Sequence, residues 1–203
     1  MEKNDKDFSP QESLLLIRSM IETTRHSISD HSHYYLLWGW AVMIGCIVQY
    51  LLMSVFKYPQ HYYAWFISPV ALVIQIVFII KDKKKERVKT FINEANSQLW
   101  MIIGFSFIAL FFIFGKMGWM YCFPIYILLY GIGTSVSGSL IKFKPLIIGG
   151  IANIALSIIT VYLRYDLQIL MTALAILISY IIPGHLLHLH YRKTNLHNYA
   201  TEG

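Results

Sequence analysis

The sequence predicts an all-α protein: a polytopic membrane bundle of six transmembrane helices with an N-terminal cytoplasmic amphipathic helix. Three observations lead there. The 203 residues are 56% hydrophobic and only 14% charged, whereas a soluble domain is about 25% charged, and the mean hydropathy is +0.52. Six apolar stretches recur at close to the length of a membrane span, which is about 20 residues with about 17 as a lower limit. The basic residues sit between these stretches, with six of the 17 Lys and Arg in Lys81–Lys89 (KDKKKERVK).

The chain divides into a cytoplasmic segment 1–33, a transmembrane domain 34–184 and a His-containing cytoplasmic tail 185–203. After a charged start, Ser9 can cap a helix, Pro10 suits its first position and Glu12 completes a capping box. Leu14, Ile17, Ile21 and Ile28 then recur at helical spacing, with Arg18, Glu22 and Arg25 off the stripe. An amphipathic helix over 9–31 follows from this pattern. Residues 1–33 carry four basic and six acidic side chains, and helices that lie on anionic lipid are rich in Lys and Arg. The stripe is therefore expected to meet protein. The polar start also argues that the first apolar stretch is not a cleaved signal peptide.

The first span is expected over 34–54, with Tyr34, Tyr35, Trp38 and Trp40 as an interfacial belt at its inner end. The second covers 62–80, and Pro69 within it predicts a kink because proline cannot donate to the helix ladder. Beyond the basic loop, 90–98 reads as a short helical piece at the interface. The third span covers 99–115. A short hinge containing Gly118 then folds the fourth, 123–141, back as an antiparallel hairpin. A tight basic turn at Lys142–Pro145 leads to the fifth, 146–163, and a turn at Arg164–Asp166 to the sixth, 167–182, which Pro183-Gly184 is expected to interrupt.

Six spans place Lys81–Lys89, Lys142, Lys144 and both termini on one side, and leave Lys57, Lys116 and Arg164 on the other. Lys and Arg in short loops stay cytoplasmic, so the expected location is the cytoplasmic (inner) membrane, multi-pass, with N- and C-termini cytoplasmic. The net charge of +6 follows that asymmetry. It forms no basic patch for nucleic acid, and no nucleic-acid partner is expected.

No Asp, Glu, Lys or Arg lies in the middle of any apolar stretch. Ion-coupled pumps and proton relays need such groups, because an intramembrane charge is costly. The polar residues at depth are neutral, among them Gln49, Gln75, Thr134, Asn153, Thr172 and Ser179. They can bond neighbouring helices at about 0.6–2 kcal/mol each, or line a path for a small neutral solute. Gly131, Ser135 and Ser139 in the fourth span, and Gly149 and Asn153 in the fifth, form small-residue rows that allow close helix packing. The same rows could serve a homodimer.

Histidine is the unusual residue. Seven of eight fall on the expected cytoplasmic side, and only His61 lies outside. His31 and His33 at the first span and His185 and His188 after the sixth are candidate ligands for a transition metal, since neutral imidazole binds Zn, Ni or Cu. A pH sensor is another reading, and the default is that they are plain interfacial residues, as Trp and Tyr are. No HExxH, GxSxG or Walker loop is present, so no catalytic residue and no organic cofactor is assigned. Cys46 and Cys122 form neither a CxxC pair nor a metal spacing, and no disulfide between them is expected.

The run Ser9–Ile17 before Trp38-Gly-Trp40, then Phe143–Gly150 (FKPLIIGG) and Ile182-Pro-Gly184, resembles a group of small uncharacterised six-helix bacterial membrane proteins over most of the chain. The resemblance implies six helices and a cytoplasmic membrane location, and carries no activity. The function expected is a non-enzymatic regulatory or interaction protein of that membrane. It would bind the lipid bilayer, and either a twin or a cytosolic protein partner through residues 9–31. The alternatives are a small-solute transporter or channel and a metal-responsive membrane protein.

Overall fold

The computed structural model describes residues 11, 13–15, 32–82 and 91–186. Every regular element among them is helical. The order is α1 (Ser32–Tyr50), continued by a π-helical turn Leu51–Val55; a 3₁₀ turn His61–Phe66 leading into α2 (Ile67–Asp82); α3 (Phe91–Met117); α4 (Cys122–Leu140); α5 (Lys144–Val161); and α6 (Tyr165–Ile176), continued by a π turn Leu177–Ile181. Among the described residues, six helical stretches are long and apolar enough to cross a membrane: Tyr35–Val55, His61–Lys81, Glu94–Met117, Cys122–Leu140, Lys144–Val161 and Tyr165–Leu186.

Of the predicted first helix, residues 11 and 13–15 are described, and Leu14 is exposed. Ile17, Ile21, Ile28, His31, the basic loop from 83 and the tail from 187 lie outside the described residues.

Three local expectations change. Pro69 is the third residue of α2 and so lies in its first turn, where a missing N–H costs nothing. The chain reaches α2 through the 3₁₀ turn, and the break lies ahead of the proline. The piece at 90–98 is continuous with the third span, because α3 runs unbroken from Phe91 to Met117. Pro183-Gly184 does not interrupt the last helix, which continues through Leu186. Proline at 183 cannot donate to the carbonyl of Ser179 and would crowd it. The wide turn Leu177–Ile181 just before it absorbs the conflict, and the Ile182 N–H reaches back to Leu177 O.

The α4–α5 turn is a Schellman closure. Phe143 N–H donates to Gly138 O at 2.9 Å and Lys142 N–H to Ser139 O at 3.2 Å. Lys142 takes the left-handed position, with φ 52°, that glycine usually fills. Gly118, with φ +101°, ends α3 in the conformation that glycine adopts most freely.

α4 packs along α5, α5 against α6, and α6 against α1, while α2 leans on α1 and α3 on α4. Val42, Cys46, Phe123, Ile169, Ile176 and Tyr180 are buried in the main core cluster. The flanking helices show large apolar side chains outward: Val73 on α2 is 60% exposed and Phe112 on α3 is 72% exposed. Contiguous apolar surface of this kind is foreign to water-soluble monomers.

Candidate functional site

The interior is polar at three levels, and each level joins helices that the sequence keeps far apart. At the end where α1 begins, Trp100 Nε1–H donates to Ser137 Oγ at 3.1 Å. The Ser137 hydroxyl donates to Asn96 Oδ1 at 2.7 Å, and Asn96 Nδ2–H donates to Tyr35 OH at 2.9 Å. One relay thus ties α3, α4 and α1. Around it Tyr35, Trp100 and Tyr180 meet edge-on or tilted, with ring centroids 5.7–5.9 Å apart, and Tyr130 meets Tyr180 at 5.4 Å. Such aromatic pairs contribute about 0.5–1.5 kcal/mol each beyond burial. Gly133 makes the approach of α3 possible, since a Cβ there would stand 2.6 Å from Ile103 Cδ1 and 3.0 Å from Trp100 Cη2.

At mid-depth α4, α5 and α6 meet along a seam of small and hydroxylic residues. A Cβ on Gly131 would stand 2.9 Å from Gly150 O, and one on Gly138 2.7 Å from Ile147 N. A Cβ on Gly150 would collide with Ser135 Oγ and stand 2.6 Å from Ser135 N. The hydroxyls along this seam donate to carbonyls of their own helices: Thr134 to Tyr130 O at 2.7 Å, Thr160 to Leu156 O at 2.6 Å, Thr172 to Gln168 O at 2.8 Å and Ser179 to Ala175 O at 2.8 Å. Asn153 crosses from α5 to α6 by donating to Ser179 Oγ at 2.8 Å. Among the described residues, the buried atoms Ser135 Oγ, Asn153 Oδ1 and Gln168 Oε1 have no hydrogen-bond partner.

At the opposite end Gln49 of α1 accepts from Trp65 Nε1 at 2.7 Å and lies 3.2 Å from His61 Nδ1. Cys46 and Cys122 are both free and buried, in the same apolar cluster. Between α1 and α2 an open groove of about 450 Å³ is lined by apolar side chains such as Leu37, Ile44, Ala71 and Ile74.

The residues singled out from sequence are distributed as follows. Gly131 and Ser135 face α5 across Gly150. Asn153 sits with its Cβ against Gly131 and its amide on α6. Gly149 faces α6, 3.1 Å from Ile178 O and Ser179 Cα measured from a built Cβ. Ser139 is exposed and donates to Ser135 O at 2.9 Å. His185 is exposed near the end of the last helix, while His31 and His188 lie outside the described residues. Among the described residues no three His, Cys, Asp or Glu side chains gather to hold a metal ion.

The reading from sequence missed Gly150 as a packing position and the Asn96 relay. The Gly149-Gly150 pair was a signal for the first. Adjacent helix positions are 100° apart, so two neighbouring glycines can serve two different partner helices. Asn96 gave no comparable signal, because it stands in a stretch that reads as interfacial. No protein-family model, no curated protein and no solved structure matches this chain.

Proposed function

We propose that this chain is a non-enzymatic integral protein of the cytoplasmic membrane that crosses it six times, with both termini in the cytosol, and acts by holding a protein partner through residues 9–31. The observation that supports this reading is the state of the α4–α5–α6 seam. Its backbones approach so closely at Gly131, Gly138 and Gly150 that a single methyl would collide, and the hydroxyls of Thr134, Thr160 and Thr172 are turned onto their own helices. A core packed in this way suits a rigid anchor, whereas transport sites are built where helices break around a cavity at mid-depth. The position of Lys and Arg along the sequence supports the orientation. Lipid attraction to the acidic first segment is weak, which leaves Leu14, Ile17, Ile21 and Ile28 to be covered by protein. Each such side chain contributes about 1.5–3 kcal/mol on burial, before ordering costs.

A small-solute transporter is the second reading, favoured by the unpartnered Asn153 Oδ1 and Gln168 Oε1. Cross-linking in native membranes separates the two. Ile21→Asp should leave insertion intact and abolish adducts that the wild type forms with its twin or with a cytosolic protein. The same adducts in both, or none in either, would defeat the partner role and put the transporter ahead. Reporter fusions at Lys57, Lys89, Lys116 and Lys144 test the orientation, and an external signal at Lys89 would overturn it.

A further inference from the structure

The junction between α1 and the 3₁₀ turn holds a bond pattern that one proton would break. Gln49 is 1% exposed, so its amide depends on protein partners. Trp65 Nε1–H donates to its Oε1 at 2.7 Å. An indole nitrogen can only donate, which fixes the amide with its oxygen towards Trp65 and its nitrogen towards His61. Gln49 Nε2 lies 3.2 Å from His61 Nδ1. As a hydrogen bond this contact requires Nδ1 to accept, with the ring proton on Nε2.

A second proton would turn Nδ1 into a donor facing a donor. Rotating the amide would offer its oxygen to the imidazolium but aim its NH₂ at the indole N–H. With one end of the amide facing each of them, it cannot in this placement accept from a charged His61 and from Trp65 together. Histidine is the side chain that changes charge between pH 5 and 8.

Other groups near His61 do not offset the change. Tyr62 on its own turn presents a ring at 6.3 Å and Tyr165 from α6 one at 6.5 Å, and phenols stay neutral across that range. From α1 the facing group is the uncharged Gln49. At the same end Asp166 is paired with Arg164 at 3.4 Å, and Lys57 belongs to the connection that precedes the turn.

The backbone of that connection is held by few bonds of its own. Phe56 N–H reaches Leu51 O at 3.0 Å, Tyr58 N–H reaches Leu52 O at 2.8 Å, and Lys57 between them has φ 49°. The two side-chain bonds to Gln49 and the packing of Trp65 near Phe123, with ring centroids 6.2 Å apart, tie the turn to α1 and α4.

We propose that Gln49, His61 and Trp65 form an acid-released latch that holds residues 56–66, and with them the start of α2, against the bundle at neutral pH. The inference stands apart from the partner-holding role and from the orientation, because the purified chain exposes this end to buffer in either case.

Hydrogen exchange of the full chain in nanodiscs tests it, at pH 7.5 and 5.0, with rates corrected for the intrinsic pH dependence of exchange. Protection of 56–66 should fall about tenfold on acidification while that of 131–150 holds. His61→Asn, neutral at both values, should show no step. In Gln49→Glu a carboxylate accepts from both Trp65 and the imidazolium, so acid should no longer loosen the turn. A wild type without the step, or an equal step in His61→Asn or Gln49→Glu, would overturn the latch.

Discussion

Replacing Gly150 by alanine adds one methyl group, and the contacts around it set the cost. That methyl would stand 2.6 Å from Ser135 N and 2.8 Å from Gly131 O, and would collide with Ser135 Oγ. Ser135 N and Gly131 O are four residues apart in α4, so they are the donor and acceptor of one helical hydrogen bond. The methyl would press on the backbone of α4 at that bond, where no flexible side chain can give way. Overpacking of this kind costs about 1–3 kcal/mol, and backbone contact argues for the upper half. Alanine in place of glycine within a helix returns about 0.5–1 kcal/mol, so Gly150→Ala should destabilise by about 1–2.5 kcal/mol net. Gly104 in α3 is the control, since a Cβ there meets nothing within 4 Å. Only the helix term acts on it, and Gly104→Ala should stabilise by about 0.5–1 kcal/mol. Ser135→Leu attacks the same contact from the facing helix and should destabilise as Gly150→Ala does. Reversible unfolding by SDS in mixed micelles, followed by far-UV circular dichroism, measures all of these. If Gly150→Ala proves as stable as Gly104→Ala, the close α4–α5 approach is not what holds the bundle.

Two further outcomes follow from the same assay. Asn96→Ala and Ser137→Ala should each cost about 1–3 kcal/mol, since each leaves buried partners unsatisfied. Together they should cost less than their sum by at least about 0.5 kcal/mol, as for neighbours in one network, and strict additivity would separate them. Lys142→Gly removes a left-handed lysine, which costs about 1–2 kcal/mol, and adds about 0.4–1 kcal/mol of unfolded-chain entropy. A net gain of up to about 1.6 kcal/mol should appear, and a loss would mean that the lysine side chain holds the turn.

The six helices and their approximate ends were legible in the sequence, because both are properties of the chain taken one residue at a time. Apolar runs of span length and turn residues such as Gly118 and Lys142–Pro145 mark them without knowledge of a partner. The tertiary structure alone decided which face meets which helix. It set Gly150 against α4 and Gly149 against α6. It joined Asn96 to Ser137 across 41 residues of sequence, and it carried the last helix past Pro183 by widening the turn before it. In a soluble helix an apolar stripe against a polar face announces the buried side. These helices are apolar nearly all round, and lipid tails are as apolar as leucine, so Phe112 facing outward and Ile176 facing inward look alike in the sequence. What distinguishes the buried faces is small size and internal hydrogen bonding, at Gly131, Thr134, Gly150 and Asn153, and both take their meaning only from the helix on the other side of the contact.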